Sequence, residues 1–142
     1  MDDSADALVN TVNCVGVMGK GIALAFKGAY PENFTLYKAA CERRYLKPGG
    51  LFATETGLMF GPKQILNVAT KDDWRNPSRI VWIESAAPAI RRHCETRGLT
   101  SVAVPALGCA NGGLPWNGVR AILEDAFRGS AVDFRIYLPL GR

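Results

Sequence analysis

The sequence predicts one α/β domain. A strand, a glycine-rich loop and a helix succeed one another between Ala7 and Tyr30, and the same succession returns between Ser101 and Arg128. The length supports this, because 142 residues is close to the commonest size of one domain and can bury one full core. No linker, internal repeat or low-complexity stretch divides the chain, so residues 1–142 read as a single domain.

The elements follow in order. Ala7 to Val12 (ALVNTV) is a short apolar, β-branched run and predicts a strand. CVGVMGKG is a glycine loop, and IALAFKGAY predicts a helix. Pro31 opens a second helix in which Phe34, Tyr37 and Cys41 fall at helical spacing. LFATET and QILNVAT predict two strands around a turn at Gly61-Pro62, and KDDWRNP is a polar loop. Ser78 is the expected N-cap of a long helix with Ile80, Ile83, Ala87, Ile90 and Cys94 on one stripe. Pro88 should kink or interrupt that helix, and Gly98 should end it. SVAVP predicts a buried strand, Asn117 to Arg128 a last helix and DFRIYL a last strand.

Composition narrows the function classes. Hydrophobic residues make up 48% and charged residues 21%, which argues against global disorder. Net charge is +4 with a pI near 9.0, which favours polyanionic partners or a phosphorylated ligand. Cys14, Cys41, Cys94 and Cys109 form no C-x-x-C pair, so no metal site and no cofactor is expected, and the cysteines read as reduced residues of a cytoplasmic protein. MDDSADALVN lacks the pattern of a signal peptide, and no apolar run nears the ~18 residues of a membrane helix.

The two glycine loops share one logic. Each follows a strand and precedes a helix, where ligands of open α/β sheets bind. Glycine admits close backbone approach, and a helix N-terminus offers free N–H groups to phosphate. Neither loop is a P-loop, because Lys20 is followed by Gly21, and neither is a G-x-G-x-x-G fingerprint.

The run LVNTVNCVGVMGKGIALAFK (Leu8 to Lys27) resembles the first ligand loop of macrodomains. ILNVATKDDWR, SVAVPALGCANGGLPW and RIYLP extend the similarity nearly end to end, most specifically to the antitoxin macrodomains of DarT–DarG toxin–antitoxin pairs. The resemblance implies a three-layer α/β/α fold with a mixed, mostly parallel central sheet. It also implies a hydrolase that removes ADP-ribose from thymidine in single-stranded DNA, reversing the modification made by a cognate ADP-ribosyltransferase toxin. Members of the family usually start with a strand ending in G-D or G-N that holds adenine; counting back from Asn10, that strand is shortened or absent here. A monomer is expected.

Carried over residue by residue, Lys71 matches the catalytic lysine, and Asn13, an asparagine beside the distal ribose, is the second catalytic candidate. Asn10, Gly19, Lys20, Gly21 and Ile22 match the first ligand loop, and Gly108, Cys109, Ala110, Asn111, Gly112, Gly113 and Leu114 the diphosphate loop. Tyr137 matches a position that often stacks on adenine. A human relative carries a catalytic aspartate where this chain has Gly112. Lys71 can serve as a nucleophile or electrostatically on the leaving base. A lysine has pKa ~10.4, and burial or a neighbouring charge such as Lys20 would lower it. Trp74 either stacks on a nucleobase or anchors its loop, and Arg75 either contacts phosphate or faces water. Asp72 and Asp73 are either general bases or, as adjacent carboxylates of a polar loop more often are, solvent-facing; Trp116 packs, and His93 is structural. Two other functions compete: an ADP-ribose-binding module without turnover, and a glycohydrolase for protein carboxylate esters or another nucleobase.

Overall fold

The computed structural model describes residues 4–139. The chain runs β1 (Ala7–Val12), α1 (Gly21–Ala29), α2 (Pro31–Glu42), β2 (Leu51–Glu55), β3 (Gln64–Ala69), α3 (Ile80–Thr96), β4 (Ser101–Val104), α4 (Trp116–Phe127) and β5 (Asp133–Ile136). Among the described residues the strands form one sheet ordered β2-β3-β1-β4-β5. β1, β3, β4 and β5 are parallel, and β2 joins β3 antiparallel at one edge. No strand precedes β1 among the described residues.

Strand alternation builds the three layers. Val9, Leu66, Val68, Val102 and Val104 face α3 and α4, where Ile83, Ile90, Val119 and Leu123 complete the largest core. On the other face Leu8, Ile65 and Ala103 meet Phe26 of α1, while Val12 and Ala69 meet Tyr37 and Cys41 of α2. Between those two clusters lies a buried polar chain: Asn10 Nδ2 donates to Asn67 Oδ1, Asn67 and Asn33 exchange bonds, and the Thr54 hydroxyl donates to Asn33. It ties α2 to three strands through side chains that would be costly left unpaired.

Most predicted elements stand within a residue or two of their expected bounds. Two expectations are corrected at α3. Ser78 is not its N-cap; Arg79 is, in extended conformation. The Ser78 backbone N–H is committed elsewhere, to Gly112 O at 3.0 Å. Nor does Pro88 interrupt the helix, which runs unbroken from Ile80 to Thr96. Pro88 lies on the solvent face, so the carbonyl it leaves without a helical donor is not trapped in the core. Gly98, at φ +68, closes α3 as expected: Leu99 N–H reaches Cys94 O and Gly98 N–H reaches Glu95 O.

The sheet fixes where a ligand can sit. From central β1 the chain goes to β3 on one side, while β4 lies on the other. The strand order reverses between β1 and β4, and open α/β sheets bind ligands in the crevice at such a switch point. Both glycine loops leave the carboxyl ends of these two strands.

At the far end of the sheet, His93 Nε2 stands 2.7 Å from Gln64 Oε1, and Gln64 Nε2 donates to Glu55. Burial, then Arg97, hold the imidazole pKa below its ordinary 6.5 against the opposing pull of Glu55. The unfolded chain therefore binds the extra proton first, and stability must rise with pH across that window. We expect urea midpoints to be level above pH ~7 and to fall as the pH drops through ~6.5. His93→Gln should flatten that fall; an unchanged slope in the variant would assign it to other groups.

Candidate functional site

Loop 14–20 is organised by one side chain. Asn13 is buried, and its Oδ1 accepts from the backbone N–H groups of Val15, Gly16 and Val17 at 3.1, 3.2 and 3.3 Å. Its Nδ2 donates to Val17 O at 2.8 Å, closing the turn. The fully buried Tyr37 hydroxyl stands 2.9 Å from Asn13 Oδ1 and 2.8 Å from Asn13 O. Met18 is inserted beside Val12 and Tyr37, which pins the loop from below.

The second loop is held differently. Leu114 N–H closes it onto Gly108 O at 2.9 Å, and the Leu114 and Cys109 side chains turn in to the core. At Gly112 a Cβ would collide with Gly108 O and the Ser78 side chain, so only glycine fits. An aspartate at this position is sterically barred. Gly21, at φ +56, begins α1 opposite this loop; a Cβ there would lie 3.5 Å from Asn111 Nδ2. The two loops thus meet across the switch point.

Between them lies a cleft of about 590 Å³. Its walls include Asn13, Gly19, Lys20, Gly21 and Ile22 on one side and Gly108, Ala110, Asn111, Gly112 and Gly113 on the other, with Lys71, Trp74 and Arg75 at the rim. Four expected ligand residues are not among them. Asn10 is fully buried in the asparagine chain, Cys109 and Leu114 anchor the second loop, and Tyr137 follows β5 with its N–H on Val104 O. Sequence reasoning missed Val17, Thr70, Asn76 and Pro77 of the walls, and Tyr37 behind them.

Among the described residues lining the cleft there are three cations and no carboxylate. Lys71 Nζ donates to Trp74 O at 3.2 Å. Burial, then the nearby charge of Lys20, lower the Lys71 pKa from its ordinary value. Asp73 is clamped by Arg75 Nε and Nη2 at 2.9 and 2.7 Å, which draws its carboxyl down to about 2 and makes it a poor base. Arg75 also stands over Trp74, its Cζ 5.4 Å from the ring centroid. Burial raises the Cys14 thiol to about 12, and Cys41 and Cys109 upward too, so none of them offers a ready thiolate. The charge of such a site suits an anion, with one amine of lowered pKa at its rim.

Residues 9–123 match the family model described as Macro domain. The chain is 50% identical over 137 residues to a DNA ADP-ribosyl glycohydrolase of Mycobacterium tuberculosis, covering 96% of this chain and 39% of that protein. The solved macrodomain of Mycobacterium tuberculosis DarG superposes with a TM-score of 0.95 at 48% identity, over 97% of this chain and 91% of that one. Thermosipho africanus DarTG in complex with ADP-ribose superposes with a TM-score of 0.88 at 32% identity, over 96% of this chain and 39% of that one. The chain spans about two fifths of the length of the curated relatives it matches, 39% in each of the first three.

The loop geometry makes a stability prediction. Asn13→Ala strips three loop N–H groups of their acceptor, that of Gly16 in a buried bond and those of Val15 and Val17 in part-buried ones, and should cost about 2–3 kcal/mol, whereas Tyr37→Phe removes one neutral bond and should cost about 1 kcal/mol. Denaturant unfolding checks both. Equal losses would contradict the central place given to Asn13.

Proposed function

The chain belongs to the macro domain family, and we propose that its cleft holds ADP-ribose and that Lys71 cleaves it from a nucleobase of single-stranded DNA. The observation that carries this reading is the lysine itself: an amine of lowered pKa at the rim of a cationic cleft with no carboxylate in its walls among the described residues. A module that only binds ADP-ribose has no need of it. The relatives named as DNA ADP-ribosyl glycohydrolases support the acceptor. A Thermosipho africanus relative is named as a fusion with a DNA ADP-ribosyl transferase, which supports a cognate toxin as partner.

In this proposal the diphosphate lies between Gly19–Ile22 and Gly108–Gly113, against backbone N–H groups and the N-terminus of α1. Asn13 acts by shaping the loop beside the distal ribose, since its carboxamide oxygen is spent on loop amides. Cleavage breaks the bond between the anomeric carbon and the base nitrogen, with oxocarbenium character in the transition state. The neutral Lys71 amine attacks that carbon, and the base leaves with the bonding pair and takes up a proton. The ring opens to a Schiff base, which water hydrolyses to return the amine. The net reaction adds water's hydroxyl to the sugar and its proton to the base. Trp74 and Arg75 flank the base and its phosphate.

Lys71→Ala should lower release of ADP-ribose from ADP-ribosylated oligonucleotide by about a hundredfold or more. Wild-type turnover by that variant would end the proposal. Borohydride should trap an adduct on Lys71, and mass spectrometry reading none would argue against the covalent route. The pH profile separates the roles independently. A nucleophile needs the neutral amine, so the rate should climb with pH toward the lowered Lys71 pKa. Lys20→Gln removes one of the two causes of that lowering and should move the climb to higher pH. A rate that falls with rising pH would instead mark Lys71 as a cation acting on the leaving base.

A further inference from the structure

Beyond the cleft rim, the surface continues onto the first turn of α3. Arg79, the N-cap residue, places its guanidinium over Trp82, with Cζ 5.8 Å from the ring centroid. This repeats the Arg75–Trp74 pairing four residues earlier. The loop before β2 packs on the same turn: a Cβ on Gly49 would lie 3.1 Å from Trp82 O and 3.0 Å from Ser85 Cβ. Gly49 N–H donates to Ala69 O, so this loop sits at the cleft end of the sheet and carries the exposed Lys47 there.

The charges on this surface are unequal in availability. Arg75 is clamped by Asp73. Lys47 and Arg79 are exposed and make no ion pair among the described residues. A guanidinium seated on an indole is held in plane while its N–H edge stays open to phosphate, and its outer face can stack on a base. Aromatic and guanidinium faces interleaved with unpaired cations are what a single strand of nucleic acid requires, because every base has a π-face and every link a charge.

The geometry points to Trp74, Arg75, Arg79, Trp82 and Lys47 as one track that carries the DNA strand flanking the modified base, outward from the cleft and across the start of α3. The inference rests on the proposed action on DNA and adds where the strand lies. It makes affinity for the strand separable from affinity for ADP-ribose, because Lys47 and Arg79 lie outside the cleft walls.

The test uses the Lys47→Gln, Arg79→Gln double variant. Both positions are exposed, so the fold should survive, and circular dichroism checks that. Fluorescence anisotropy with an unmodified single-stranded oligothymidylate should give a Kd at least about fivefold above wild type, with the salt slope lower by about one for each phosphate no longer neutralised. Turnover of an ADP-ribosylated oligonucleotide should fall in parallel, while turnover of ADP-ribosylated thymidine nucleoside stays at the wild-type rate. Wild-type affinity and salt slope in the double variant would overturn the track, as would equal losses on nucleoside and oligonucleotide. Should the wild-type chain leave both ADP-ribosylated substrates intact, the proposed function fails, and binding of the unmodified oligonucleotide still decides whether the track exists.

Discussion

The site depends on the carboxamide of Asn13. Three consecutive backbone N–H groups converge on its oxygen, its amide returns to Val17 O, and Tyr37 holds it from behind. A loop rich in glycine has much conformational freedom to lose. Neutral hydrogen bonds of about 1 kcal/mol each, supported by a buried Met18, offset that loss. The position of this loop sets one wall of the cleft and the direction in which α1 presents its first N–H groups. The opposite wall needs no such hub, because Leu114 and Cys109 turn in to the core and Gly112 is locked against Ser78.

The same packing constrains the chemistry. Gly112 cannot carry a side chain, and the cleft walls hold no carboxylate among the described residues. Asp73, an acidic candidate in the adjoining loop, is neutralised by Arg75. Lys71, whose pKa is lowered by burial and then by Lys20, is the group to which the proposed function gives the chemistry. In the proposed function a cationic cleft would serve two ends at once: it would attract a diphosphate, and it would make the neutral amine more accessible.

The scaffold was legible in the sequence where periodicity and turn chemistry acted locally. β1 matches the run ALVNTV, and Gly98 ends α3 as a left-handed residue must. Misreadings came where a distant partner competed. Ser78 has the chemistry of an N-cap, but its backbone is used by the second glycine loop. Asn10 resembles a ligand residue in sequence, yet strand alternation puts it on the face of Leu8 and Val12, under α2. That alternation was available in the sequence and would have turned Asn10 inward. The hydroxyl of Tyr37 was not legible at all, since its partner lies 24 residues away.

The proposed function keeps grip and chemistry separate: the loops would hold ADP-ribose, and Lys71 would cut. Calorimetric titration of free ADP-ribose into Lys71→Met and Asn13→Ala tests that separation most directly. Lys71→Met should bind within about threefold of wild type, less than ~0.7 kcal/mol, while Asn13→Ala should weaken binding by about tenfold or more, above ~1.4 kcal/mol. Loss of affinity in Lys71→Met as large as in Asn13→Ala would contradict it, because the lysine would then belong to the grip.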